Sequence, residues 1–282
     1  MAWWTASRAC GTDRVARGLG STNGRAPVSA SQDAASRRRA KTSLVDFVVD
    51  ELLERIVRGE LKAGKTIPPE AQIAEQLSVS RLTAREAINV LRAQNIVSVR
   101  RGTGTFVNAP GRWTGLAASL RAAAYGIGED ETSLRLLEVR RMVETGSAEL
   151  AAVHRSQADV ERMGEEIACM EEAHRRADGG ALTVHDLAFH EAIFTASRNP
   201  FVPAIMGQLG DLLYSMRRRT SEHPEVQRHA IEHHKIIRDA ISAQDAYGAK
   251  TAMERHIDQT FEDYVRLIRS NANGRDQEIA PA

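Results

Sequence analysis

Residues 68–107 constrain the fold more tightly than any other stretch of the chain. Pro68-Pro69 opens a helix, because proline is tolerated in the first helical turn, and Glu70 there suits the positive end of the helix dipole. Ile73, Ala74 and Leu77 give this helix one apolar face. Ser78-Val79-Ser80 leaves room only for a turn. A second helix follows from about Arg81 to Gln94, with Ala84, Ala87, Ile88 and Leu91 facing inward. Two caps compete for its start: Ser80, or a capping box of Thr83 with Glu86. Then Ile96-Val97-Ser98-Val99 and Thr105-Phe106-Val107 flank Gly102 and Gly104, which reads as a hairpin.

A further helix precedes this set. Leu44, Phe47, Val48, Leu52, Ile56 and Val57 recur at three and four residues and stop near Gly59, with Gly64 in the turn beyond. Residues 43–109 therefore read as a winged helix-turn-helix. In that arrangement the start of the second of the paired helices reads base edges in the major groove. Arg81 and Arg85 are four apart, so they share the outer face at that start, and Thr83 and Asn89 also reach outward. Five arginines stand against the one acid Glu86 between residues 80 and 101. Arg100 and Arg101, with Gly102 and Gly104 at the hairpin tip, are placed to touch the DNA backbone.

The charge balance supports this division. Lys+Arg number 38 and Asp+Glu 37 over 282 residues. The near-zero sum hides a gradient, from a basic front to an acidic region after Pro110. Residues 1–42, rich in Ala, Ser, Gly and Arg, show no period and read as a disordered basic tail. Their acid-poor composition also fits an organelle transit peptide, and Arg37-Arg38-Arg39 with Lys41 can meet phosphates without sequence preference. Two cysteines, Cys10 and Cys169, exclude a disulfide framework and a cysteine-built zinc site. No apolar run is long enough to span a membrane, and 5% aromatics argue against a large sheet. Residues 110–129 read as a linker opened by Ala109-Pro110-Gly111, and 271–282 as a second tail.

Residues 130–270 carry a helical period, with Leu134, Leu137, Val139, Met142, Val143, Ala148 and Ala151 in the first element. Gly179-Gly180, Asn199-Pro200 and His223-Pro224 break the rest into helices, giving an antiparallel all-α bundle and a mainly α protein overall. All nine histidines follow residue 153. Asp186 and His190 are i and i+4 beside Phe189 and Ile193. His234 aligns with Ile237 and Ile241, although His233 is a direct rival, and His256 aligns with Ala252 and Met253. Three imidazoles and a carboxylate on neighbouring helices suit a divalent Zn, Ni, Mn or Fe ion without choosing among them. The bland reading of these histidines, as core or surface residues, also stays open. Arg217-Arg218-Arg219 reads as a solvated face.

The stretch IPPEAQIAEQLSVSRLTAREAINVL followed by RRGTGTFV resembles the DNA-binding signature of the GntR family of bacterial transcription regulators. Two positions depart from that pattern. Ala71 stands where an arginine is frequent, and Leu82-Thr83 stands where a proline is frequent, so the preferred operator differs from the usual one. EVRRMVETGSAELAA, DLAFH, ASRNP and HKIIRDAI, with a histidine twenty-two residues beyond His234, resemble the FCD effector domain of the FadR-type branch. The resemblance implies DNA contacts at Arg81, Arg85 and the wing. It implies a divalent metal on Asp186, His190, His234 and His256, selecting His234 over His233, and the metal helps hold a small organic or sugar acid. Arg140, in the matching early helix, then either binds that acid's carboxylate through a bidentate pair or pairs with Glu144. The whole reads as a cytoplasmic, nucleoid-associated homodimer on a pseudo-palindromic operator, more often a repressor than an activator. Two alternatives are a metalloenzyme using the three-His, one-Asp set and a regulator that senses the metal alone.

Overall fold

The computed structural model describes residues 30–269 and places side chains for 44–267. The expected tails at 1–29 and 271–282 lie outside the described residues. Helix α1 spans Ala30–Val57, so it takes in residues 30–42, which composition assigned to the tail. The lack of an apolar period there does not bar a helix, because Ala and Arg propagate one well. Contacts divide the chain into two compact units between Arg112 and Trp113.

In the front unit, α1 is followed by α2 (Glu70–Gln76), α3 (Arg81–Ala93), β1 (Val97–Arg100) and β2 (Gly104–Val107). Val48, Leu52, Leu53 and Ile56 of α1 are buried, as are Ile73, Ala74, Ala84, Ala87, Ile88 and Leu91, while Leu44 and Phe47 stay about half exposed. The Ser80 hydroxyl caps α3 by accepting the Thr83 amide at 3.0 Å. The capping box read at Thr83 and Glu86 therefore gives way to Ser80. Thr83 also does not reach outward as expected: it is 5% exposed and its hydroxyl lies 2.8 Å from that of Ser80. Ser80→Ala is expected to cost about 1 kcal/mol. Amide exchange over the first turn of α3 would then speed up about fivefold, and unchanged exchange would contradict the cap.

β1 and β2 pair antiparallel with Arg100 opposite Gly104. Gly102 and Gly104 have φ of +74° and +119°, a region that favours glycine, so the tip could not turn this way with ordinary side chains. The chain before α2 also joins this sheet. Gly64 donates to Val107 O at 2.8 Å and Ile67 to Thr105 O at 2.8 Å.

The second unit is helical. It comprises α4 (Leu116–Ile127), α5 (Glu129–His154), α6 (Gln157–Arg175), α7 (Gly179–Ala196), α8 (Phe201–Met206), α9 (Gly210–Thr220), α10 (Pro224–Ser242) and α11 (Ala246–Asp263), and a π-helical turn ends it at Tyr264–Arg269. The linker expected over 110–129 is thus mostly helix. Its LAASLRAAAYGI run is rich in Ala and Leu, the strongest helix formers, and Gly128 at φ +81° ends it. Helix α5 packs on α7, α10 and α11, α6 packs on α7 and α10, and α10 packs on α11. Met163, Met170, Phe189, Ile193, Ile237, Ile241 and Met253 form the centre of the core.

Along α5 the buried stripe is Ser133, Leu136, Leu137, Arg140, Glu144, Ser147, Ala148 and Ala151, and Met142 points to solvent. Two charged residues thus occupy core positions. That is costly unless they are paired.

Candidate functional site

Two surfaces carry chemistry, one in each unit. On the front unit, Arg81 and Arg85 are exposed on the first turns of α3. Arg85 Nε donates to Glu70 Oε2 at 2.9 Å and Oε1 at 3.2 Å, which ties the side chain to the start of α2. Arg100, Arg101, Gly102 and Gly104 are all exposed at the wing. The Arg100 guanidinium lies 4.2 Å from the centre of its own wing's Phe106 ring. The result is a cationic helix start and a cationic wing on one small fold, and Thr83 is absent from that surface.

Inside the second unit, five helices send side chains to one point. Helix α7 supplies Asp186 and His190, α10 supplies His234, α11 supplies His256, α5 supplies Arg140 and Glu144, and α9 supplies Arg217. Each follows from helical register. His234 sits on the stripe of Ile231, Ile237 and Ile241, and His256 stands between Ala252-Met253 and Ile257. His190, His234 and His256 are 2%, 0% and 3% exposed. Each offers a ring nitrogen within 4.8 Å of the others. His190 Nε2 and His234 Nε2 are 3.2 Å apart, and Asp186 Oδ1 is 3.5 Å from His234 Nε2. Phe189 stacks on His234 at 4.1 Å. His233 is only partly buried, so helical register places His234 at the centre instead.

The charged residues around the imidazoles form a closed set. Arg140 donates to Glu144 through Nε at 2.8 Å and Nη2 at 3.3 Å. Arg140 Nη2 also lies 3.4 Å from His256 Nε2, and a guanidinium can only donate, so that nitrogen is the acceptor. Glu144 Oε2 is 2.7 Å from His190 Nδ1, while His190 Nε2 faces His234 Nε2 at 3.2 Å. Arg217 contacts Asp186 Oδ2 and comes within 3.9 Å of Glu144. The pairing of Arg140 with Glu144 is therefore present, and so is the inward position that would let Arg140 meet a ligand. The solvated reading fails for Arg217, which is 5% exposed on the α9 stripe with Leu213, Met216 and Thr220.

Burial pushes His234 and His256 well below the usual imidazole range, and the neighbouring histidines and both guanidiniums push the same way. Burial also lowers His190, against the pull of Glu144. Burial works to raise the Glu144 carboxyl, but Arg140, His190 and Arg217 hold it well below the carboxylate range. These shifts favour the neutral imidazole, the form that binds metal.

These residues fit a divalent ion. Ligands about 2.1 Å from a common centre lie roughly 3–3.4 Å apart, close to the 3.2 and 3.5 Å separations here. The three converging nitrogens suit Zn, Ni, Mn or Fe alike, while the Asp186 carboxylate comes within 3.5 Å of His234 but stands outside the three-nitrogen cluster. Arg217 escaped the sequence reading, and Glu144 entered it only as a partner for Arg140, because charged side chains on a helix normally mark its solvent face. The available signal was their register, since both fall on apolar stripes.

Residues 44–107 match the bacterial regulatory proteins of the gntR family, and residues 135–259 match the FCD domain. The chain is similar to the HTH-type transcriptional regulator LutR of Bacillus subtilis (strain 168), 35% identical over 208 residues that cover 72% of this chain and 92% of that protein. It is also similar to the galactonate operon transcriptional repressor of Escherichia coli (strain K12), 28% identical over 212 residues, covering 73% and 90%. A solved structure of Lar, whose title says it controls expression of the Listeria monocytogenes agr system and mediates virulence, aligns with TM-score 0.54. It does so at 19% identity over 79% of this chain and 97% of that one, a likeness of fold alone.

Proposed function

Because the chain belongs to the GntR family of bacterial regulatory proteins and carries an FCD domain behind its winged helix, we propose that it represses transcription until a small organic or sugar acid binds its second unit. It is a transcriptional regulator and not an enzyme, as are the proteins that it resembles. The observation that carries the effector reading is the buried convergence of three imidazoles, with Asp186, Arg140 and Arg217 beside them. The repressor sign follows the name of the galactonate operon repressor, which also points to a hydroxy acid. No helix among the described residues is long and apolar enough to cross a membrane, and the site of action is the cytoplasm, on the nucleoid.

Two copies place two α3 helices on the half-sites of a pseudo-palindromic operator. Arg81 and Arg85 read base edges, while Arg100, Arg101 and the glycine tip of the wing approach the backbone. Glu70 holds Arg85 in place for that task.

In the second unit, His190, His234 and His256, with Asp186 beside them, would hold a divalent ion, which would supply a Lewis-acid attachment point for a carboxylate. Arg140 gives that carboxylate a bidentate partner, and Glu144 orients His190. An effector changes operator affinity only if it favours one of two arrangements of the protein. Helix α9 is suited to carry the difference. It brings Arg217 to the cluster, ties to α4 through Asp211 and Arg121 at 2.7 Å, and ties to Asp130 of α5 through Arg219 at 2.9 Å. Helix α4 is the first helix after the boundary between the units.

Glu144→Gln keeps the shape but removes the charge that orients His190 and neutralises Arg140. Metal affinity is expected to fall about 10–100-fold, read by competition with a chromogenic chelator. Unchanged affinity would separate Glu144 from the metal.

A further inference from the structure

Arg217 is poorly served by its surroundings. The side chain is 5% exposed, and its Nε has no hydrogen-bond partner among the described residues. It contacts Asp186 Oδ2, but the other oxygen of that carboxylate faces the histidine cluster, 3.5 Å from His234 Nε2. The next carboxylate, Glu144, lies 3.9 Å away and is already engaged by both Arg140 donors. Arg217 therefore shares one partner with the metal position and another with Arg140.

The charges of the buried set lead to the same place. Arg140 pairs with Glu144 and Arg217 contacts Asp186, so the two guanidiniums and the two carboxylates stand opposite one another. A divalent ion adds two positive charges to this enclosed volume. A monocarboxylate returns one negative charge and leaves a buried excess, which is expensive away from water. An acid with two carboxylates returns both.

We propose that Arg217 is a second anchor for the effector, and that it selects acids carrying two carboxylates, one at the metal position and one on the Arg217 guanidinium. This rests on the effector reading given above and narrows it from organic acids in general to small dicarboxylates. Arg217 suits the task because its guanidinium presents a rigid fork that matches a carboxylate.

The test compares acids that differ only at the far end, on the full-length protein loaded with Zn. Calorimetry measures L-malate against L-2-hydroxybutyrate, and tartronate against lactate, which exchange a carboxylate for a methyl at two chain lengths. In the wild type the dicarboxylate of at least one pair is expected to bind about tenfold tighter or more, as for a charge-assisted pair. In Arg217→Gln that ratio collapses toward one, and in Arg217→Lys, which keeps the charge but loses the fork, it falls between. A merely structural role for Arg217 would weaken both acids together and leave the ratio intact, and that result overturns the proposal. So do equal wild-type affinities at both chain lengths, a comparison that depends on no variant folding. Monocarboxylates that bind and release DNA as well as their partners would remove this proposal while leaving the effector reading in place. Failure of the protein to take up Zn, or of every acid to bind, would remove both.

Discussion

Replacing His190 by alanine is expected to empty the second unit of metal and abolish the response to organic acid, while operator binding persists. His190 lies 3.2 Å from His234 and faces Glu144 on its other nitrogen, so it joins the nitrogen cluster to the charged set. Without it two imidazoles and Asp186 remain. Loss of an outer-shell partner alone costs 10–100-fold in affinity, and loss of a ligand is expected to exceed about 100-fold. Metal analysis of the purified variant reads this directly. His256→Ala should behave alike, because it withdraws another of the three converging nitrogens. Both variants open a gap in a packed core, so each is compared with the wild type by circular dichroism and by binding to operator DNA. A folded variant that binds operator, lacks metal and ignores the acid fits the assignment. Undiminished metal content in either variant would contradict it.

Arg81→Ala with Arg85→Ala is expected to erase the preference for operator over random DNA. Each bidentate contact to a base contributes about 1–3 kcal/mol of discrimination, so losing two lowers the preference by roughly 30-fold to well over 1,000-fold. Both side chains are exposed, and the α3 core residues Ala84, Ala87, Ile88 and Leu91 are untouched, so the fold should survive. Arg85 loses only a pair with Glu70 whose own side chain is partly exposed, and such pairs stabilise little. Equal loss on specific and random DNA would reassign both arginines to phosphates. Thr83→Ala is not expected to change base preference, because its hydroxyl is turned to Ser80.

The front unit is legible in its sequence because each of its signals is local. A proline pair, an apolar period, a short turn and a glycine-tipped hairpin follow one another in order. Thr83 was misread because a short polar residue at a helix start serves equally as part of a cap or as an outward contact, and only the Ser80 geometry separates the two. The helix at Leu116–Ile127 was missed for the opposite reason: alanine carries high propensity but marks no face. In the second unit, register put Asp186, His190 and His256 on apolar stripes of their helices but left His233 level with His234, and only the family resemblance chose between them. Arg140 was placed by the family resemblance, with its partner left open between an effector carboxylate and Glu144. Arg217 was hidden inside a run of three arginines, whose neighbours Arg218 and Arg219 remain more open to solvent. Its burial depends on how α9 meets α7, a tertiary fact that no short window of sequence contains.

Fluorescence anisotropy on DNA from directly upstream of the gene tests the coupling of the two units most directly. The full-length protein is titrated onto that DNA with random DNA as competitor at one physiological salt concentration. The experiment is repeated with and without Zn, and with and without malate. Tight binding that falls only when Zn and malate are present together is the predicted result. Operator affinity that follows Zn alone would make the ion itself the signal. Affinity indifferent to the full panel of acids at saturating metal would contradict a metabolite-controlled repressor.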